Sequence, residues 1–168
     1  MKVYLATDHT GFEIKNKAKD FLTKAGYEVE DCGAHELNPA DDYPDLIGKA
    51  AEMVSKDPDN SMGIIFGGSG QGEAMVANKY KGVRCAVFYA PVLPVQAINI
   101  EGTQSTDPFE MLKLTREHNG ANMLSIGIRF LKEEDILKAI ELWLKSSPPT
   151  NERHMRRIDK IQAIENHE

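Results

Sequence analysis

The stretch Gly63-Ile64-Ile65-Phe66-Gly67-Gly68-Ser69-Gly70-Gln71-Gly72-Glu73 decides the fold. Gly63 to Phe66 reads as a short buried strand. Gly67 to Gly72 is a glycine-rich turn, and helical spacing follows from about Gly72 to Tyr80. A strand running through a turn into a helix is the building unit of parallel α/β sheets. Four glycines in six residues exceed what a tight turn needs. They let the backbone approach a ligand closely, and amides at the helix start would attract an anion or a developing oxyanion. The loop is not a phosphate-binding P-loop, because Glu73 stands where that motif needs lysine. Nor is it the dinucleotide fingerprint, whose usual place after the first strand holds Thr7-Asp8-His9.

The same alternation extends in both directions. Upstream, Val3 to Ala6 reads as a strand, Gly11 to Ala25 as a helix and Tyr27 to Cys32 as a second strand. In that helix Phe12, Ile14, Ala18, Phe21 and Leu22 fall near one face and lysines cover the other. Asn38-Pro39 and Asp42-Tyr43-Pro44 mark a loop, and helical spacing resumes from Asp45 to about Ser55. Downstream, Val83 to Phe88 and Leu124 to Gly127 are the fourth and fifth strands, and Glu133 to Leu144 is a patterned helix that carries Trp143 on its apolar side. The pattern implies a doubly wound, five-stranded parallel sheet in a Rossmann-like α/β/α sandwich. Residues 1–168 read as one domain. Residues 90–113, with Pro91, Pro94 and Pro108, read as an insertion-like surface excursion. Residues 151–168 read as a charged helix with a thin stripe of Ile158, Ile161 and Ile164 that lies over a groove or another subunit.

Composition excludes several classes. The 168 residues are 41% hydrophobic and 27% charged, with a net charge of −6. Acidic balance argues against nucleic-acid binding, though a few local arginines can still hold a small anion. No stretch approaches the roughly 20 apolar residues that span a membrane. The apolar run Val3 to Ala6 is too short for a secretion signal. Cys32 and Cys85 are too few for a disulfide framework, so a cytoplasmic chain with reduced thiols is expected, with Cys85 a small core residue. No Cys/His cluster has metal-ligand spacing.

Ligands in open parallel sheets bind beyond the carboxyl ends of the strands. That rule selects Asp8-His9, the glycine loop and the region of Arg129. Glu73 has two readings: an acid that favours the helix N-terminus by about 0.3–1 kcal/mol, or a general base at the mouth of the sheet. His118 lies in the polar cluster Arg116-Glu117-His118-Asn119. Arg153 and Arg157, four apart, share one helix face. They suit a phosphate dianion, or else form a solvated basic tail partnered by Glu152 and Asp159.

These pieces together resemble the type B ribose-5-phosphate isomerases and the related galactose-6-phosphate isomerase subunits. The resemblance rests on Asp8-His9-Thr10-Gly11-Phe12, Asp42-Tyr43-Pro44-Asp45, Gly63 to Glu73 continuing into Ala77-Asn78-Lys79, Gly82-Val83-Arg84, Arg116-Glu117-His118-Asn119, Ile126-Gly127-Ile128-Arg129 and Arg153-His154-Met155-Arg156-Arg157. It implies a cofactor-free aldose–ketose isomerase of a small sugar phosphate. It also implies a homodimer or dimer of dimers, with active sites shared between subunits and the C-terminal helix reaching the partner. One branch of the family carries a cysteine base at the end of the third strand. This chain has Gly67 there and resembles the other branch, which uses a glutamate.

Carried over by motif, Glu73, His118 and Ser69 are the catalytic candidates. Asp8, His9, Gly68, Gly70, Gln71, Gly72, Asn119, Arg129, Arg153 and Arg157 are the substrate-binding candidates. Glu73 would move a proton between C2 and C1, His118 would open the sugar ring, and the arginines would clamp the phosphate. The departure at 90–113 leaves two alternatives open: an isomerase of a six-carbon sugar phosphate such as galactose or allose 6-phosphate, or a non-catalytic sugar-phosphate-binding module.

Overall fold

The computed structural model describes residues 1–166. The strands are β1 (Lys2–Thr7), β2 (Glu28–Asp31), β3 (Ser61–Gly67), β4 (Cys85–Phe88) and β5 (Met123–Gly127). The helices are α1 (Phe12–Lys24), α2 (Tyr43–Lys56), α3 (Gln71–Ala77), α4 (Glu110–Glu117), α5 (Glu133–Lys145) and α6 (Glu152–Glu165). The five strands form one parallel sheet in the order β2-β1-β3-β5-β4. Every residue of β3 and β5 is buried, as expected of central strands covered on both faces.

Period-two alternation sorts the side chains into two cores. Val3 and Leu5 of β1 join Ile64, Phe66, Leu124 and Ile126 beneath α1, α4 and α5, where Trp143 is fully buried. Tyr4 and Ala6 point the other way, toward Ile47, Ala50, Ala51 and Val54 of α2. Register places Thr7 beside Phe66 and Gly67 beside Gly127, so three strands end at one level. Among the described residues no helix is long and apolar enough to cross a membrane.

Several expectations need correction. The segment 90–113 is not a surface excursion throughout. Its last residues begin α4, and Phe109 and Leu112 are buried in the core, Phe109 stacked on Phe88 at 5.8 Å. An eight-residue helix shows two turns at most, too few for a periodic signal amid prolines and polar residues. The polar face of α1 is also not all solvent: Lys15 is fully buried. Its ammonium lies 2.6 Å from both Asp31 Oδ1 and the Ala34 carbonyl, so a partnered charge is carried inside the fold. Cys85 is only half-buried, because β4 is an edge strand. Helix α3 stops at Ala77 rather than Tyr80.

Helix α6 buries no residue, as its thin stripe implied. It still touches its own chain: Glu165 Oε2 accepts from the Gly82 amide at 2.9 Å, and Ile158 lies against Gly120. His167 and Glu168, the end of the expected C-terminal helix, lie outside the described residues.

Candidate active site

From β1 the chain crosses to β2 on one side and then back to β3 on the other. The reversal opens a crevice outside the carboxyl ends of β1 and β3, and the sequence-nominated residues Asp8 and Gly68 to Glu73 lie there.

Glu73 is in the first turn of α3, yet it is only 5% exposed. The reason is Gly67: a Cβ at that position would fall on the Glu73 carboxylate, which therefore fills the space a side chain would take. Burial pushes the Glu73 carboxyl above its ordinary value and the charge of Asp8 adds to this, while a backbone hydrogen bond and Arg129 oppose it. Such a carboxylate is a stronger base than one in water, which is what proton abstraction from carbon requires.

The surrounding loop is held by backbone. Gly70 has φ +76°, a conformation that glycine adopts at little cost, and it caps α3. Ser125 Oγ donates to the Gly70 carbonyl at 2.7 Å, tying the loop to β5. The Ser69 hydroxyl accepts from the Gln71 amide at 3.3 Å, and both residues are exposed at the crevice mouth. The Tyr43 hydroxyl covers Gly72 so closely that a side chain there would collide, and the Arg129 guanidinium lies tightly over Gly68. The Arg129 amide donates to the Gly68 carbonyl at 3.2 Å.

Asp8 is buried, its Oδ1 accepting from the Thr10 amide at 2.9 Å. His9 Nδ1 lies 2.6 Å from Asp41 Oδ1, which also accepts the His9 amide at 3.2 Å. The bond to Asp41 raises the pKa of His9 against some desolvation, with Asp8 adding to it. Asp8, His9 and Asp41 each bring a ligand-capable atom within 4.8 Å of the others, a grouping invisible in the spacing. The His9–Asp41 hydrogen bond accounts for much of that closeness.

The remaining candidates lie elsewhere. His118 caps the C-terminus of α4, its amide donating to the Leu114 carbonyl at 2.9 Å. Its ring stacks on His154 of α6, centroids 4.1 Å apart and planes at 7°. Burial lowers the pKa of His154, and His118, Arg157 and Arg153 lower it further. His118, Arg153, His154 and Arg157 line a cavity of about 500 Å³ to which no strand-end residue contributes. Asn119 is exposed and lines a separate groove of about 430 Å³ between β4 and α6, beside Ile161 and Ile164.

The structure thus gathers Asp8, His9, the loop from Gly68 to Glu73 and Arg129 at the strand ends, and sets His118, Asn119, Arg153 and Arg157 apart from them. Sequence reasoning missed Asp41, one of several acids in a polar loop with nothing to single it out from Asp42 beside it. Tyr43 and His154 stood within noted motifs but without a role, because their contacts cross between elements. Burial pushes the Cys32 thiol up to about 11 and the Cys85 thiol higher still, which disfavours the thiolate form of both.

A buried carboxylate of raised pKa, a glycine loop and a nearby arginine, all at the switch point of a doubly wound sheet, define an acid–base site for a small anionic ligand. The comparisons agree with that class. A family model described as Ribose/Galactose Isomerase matches residues 3–101 and 97–161. The ribose-5-phosphate isomerase B of Mycolicibacterium paratuberculosis is 36% identical over 165 residues, 98% of this chain and 92% of the relative. A crystal structure of the Mycoplasma genitalium ribose-5-phosphate isomerase B with bound ribulose-5-phosphate superposes with a TM-score of 0.85 at 31% identity, covering 99% of this chain and 97% of that one. The Clostridium thermocellum ribose-5-phosphate isomerase B gives 0.82 at 35% identity, covering 99% of both chains. The chain belongs to the ribose/galactose isomerase family.

Proposed function

We propose that this chain interconverts ribose 5-phosphate and ribulose 5-phosphate, without a cofactor and in the cytoplasm. The observation that carries the reading is the Glu73 carboxylate, desolvated against Gly67 at the switch point, with its pKa raised by burial.

The reaction moves two protons and no net electrons. His118 passes a proton between the ring and chain oxygens and opens the sugar. Glu73 takes the C2 proton, and the electron pair left behind forms the C1–C2 double bond of a cis-enediolate. The amides from Gly68 to Gly72 and the Ser69 hydroxyl stabilise the oxygen charge. Glu73 then returns that proton to C1 while the C2 hydroxyl proton passes to the C1 oxygen, so the C2 oxygen becomes the ketone and C1 carries the alcohol. Asp8 and His9 contact the sugar, Gln71 borders it, and Asn119 holds a hydroxyl. Arg129, Arg153 and Arg157 clamp the phosphate, whose binding energy positions carbons it does not touch.

This mechanism needs both groups of residues together. We therefore assign the complete site to two copies of the chain: the strand-end residues of one, and His118, Asn119, Arg153 and Arg157 of the other. One domain spanning residues 1–168 supplies both halves. The test is conversion of ribose 5-phosphate by the wild type and by Glu73→Gln, with no metal or cofactor added. Turnover that falls about 10²–10⁴-fold in the variant while ribose 5-phosphate still binds supports the reaction and the base. A wild type that binds ribose 5-phosphate but neither forms ribulose 5-phosphate nor exchanges the C2 hydrogen with solvent refutes both.

A further inference from the structure

The cavity at His118 has a wall that the family resemblance does not supply. Five of its fourteen lining residues, Ala97 to Glu101, come from the insertion-like segment. The match to the family model falls in two stretches, 3–101 and 97–161, so the family pattern is interrupted within this segment.

The wall is built, not loose. Ile98 donates its amide to the Thr103 carbonyl at 2.9 Å, and Asn99 Oδ1 accepts the Thr103 amide at 3.0 Å. Gly102, at φ +84°, lets the chain reverse between them. Below the turn, Val92 donates its amide to the Pro108 carbonyl at 2.8 Å and closes the neck of the segment. The neck is anchored in turn: Ser105 Oγ donates to Glu110 Oε2 at 2.7 Å, Lys113 lies 3.0 Å from both Asp107 and Glu110, and Phe109 is buried.

What the turn presents is unusual for a surface loop. Ile98 is half-buried and Ile100 is 73% exposed, and both line the cavity. Glu101 is the acid of the turn, and its charge is felt at His154 across the space. Two branched apolar side chains and a carboxylate therefore face a wall of His118, Arg153, His154 and Arg157. An apolar, like-charged barrier beside an anion site removes volume and offers little to a longer polyhydroxy chain.

We propose that the turn from Ile98 to Glu101 is the specificity-determining wall of the sugar-phosphate site, admitting five-carbon sugar phosphates and excluding six-carbon ones. This rests on the isomerase reading, which it deepens. Ile98 and Ile100 limit the length of sugar that fits beside the arginines. Glu101 sets how readily a phosphate dianion enters.

The experiment compares ribose 5-phosphate with allose 6-phosphate on wild type, Ile100→Ala, the double variant Ile98→Ala/Ile100→Ala, and Glu101→Gln. Turnover and calorimetric affinity are both measured, so the wall is judged even for a chain that binds without catalysis. Ile100 is exposed, so the single variant keeps its fold; melting temperature checks the double. The expected result is a ratio of kcat/KM, or of affinity, that moves toward the six-carbon sugar by about tenfold or more in the double variant, with kcat on ribose 5-phosphate retained. Glu101→Gln lowers KM for both sugars. A ratio unchanged in both isoleucine variants overturns the wall and leaves the isomerase reading intact. A wild type inactive on both sugars overturns that reading, and the wall then stands or falls on the affinity ratio.

Discussion

The two halves of the candidate site are built on opposite principles. At the strand ends, Glu73 and Asp8 are buried, and the loop around them is fixed by backbone turns and by glycines that leave room for Tyr43, Arg129 and the carboxylate itself. At the other half, Arg157 is exposed on a helix that buries nothing, and His118 stacks on a half-buried His154. Proton abstraction from carbon needs a desolvated base held in one place. Recognition of a phosphate dianion needs charge within reach, and long exposed side chains supply it. In the proposed mechanism the half that takes the proton from carbon sits on the rigid core, and the half that opens the ring and supplies Arg153 and Arg157 to the phosphate lies at the rim.

The sharpest way to break this division is to mix the halves. Glu73→Gln and His118→Asn each abolish turnover alone, by about 10²-fold or more. If the site is shared as proposed, co-expression gives mixed dimers in which one site has both intact halves. A statistical mixture then recovers about a quarter of wild-type activity, because an isologous pair presents each half once per site. No recovery, with mixed dimers demonstrated by mass spectrometry, places the whole site in one chain and removes the division.

Next in size is Gly67→Ala. The added Cβ displaces the Glu73 carboxylate, and a base misplaced by an ångström costs about 10²-fold in kcat. Steady-state kinetics should show that loss with KM little changed. Wild-type kcat would mean that the rigid half is not rigid.

Arg157→Ala probes the other half. Removing one charge-assisted contact should raise KM about tenfold or more with kcat nearly kept. An Arg157→Ala variant that loses kcat instead would move this arginine into the transition state and blur the comparison.

The smallest effect concerns stability. Glu73 has a raised pKa in the fold, so the native state binds its proton more tightly than the unfolded chain does. Its stabilising contribution is complete below the ordinary value near 4.5 and is lost as pH rises through the raised one. At neutral pH the buried charge is a liability, so Glu73→Gln should melt higher, by about 2–4 °C for each kcal/mol relieved. The gain should vanish as pH falls below the ordinary glutamate range. A gain independent of pH would mean that burial of the charge is not its cause.

How far the sequence could be read follows the same division. The strand-end half was legible because its residues are contiguous: one loop from Gly67 to Glu73 places a base, a hydroxyl and several amides within a few residues. Central strands announce themselves as unbroken apolar runs, and Gly63 to Phe66 does so. Helix α4 was hidden because Leu112 is its buried apolar anchor, with Phe109 buried beside it at the N-cap, both set in a polar, proline-marked stretch. Lys15 was misread because nothing in an i, i+4 pattern reveals that Asp31 waits inside for its ammonium. Asp41 and the stacking of His118 on His154 depend on contacts 32 and 36 residues apart along the chain, which only the fold brings together.

The space shared by Gly67 and the Glu73 carboxylate also restricts how such a chain can change over generations. Positions 67 and 73 behave as one slot with two addresses. A side chain placed at the first would meet the carboxylate already delivered from the second, so a change at either address is felt at the other and the two are expected to vary together.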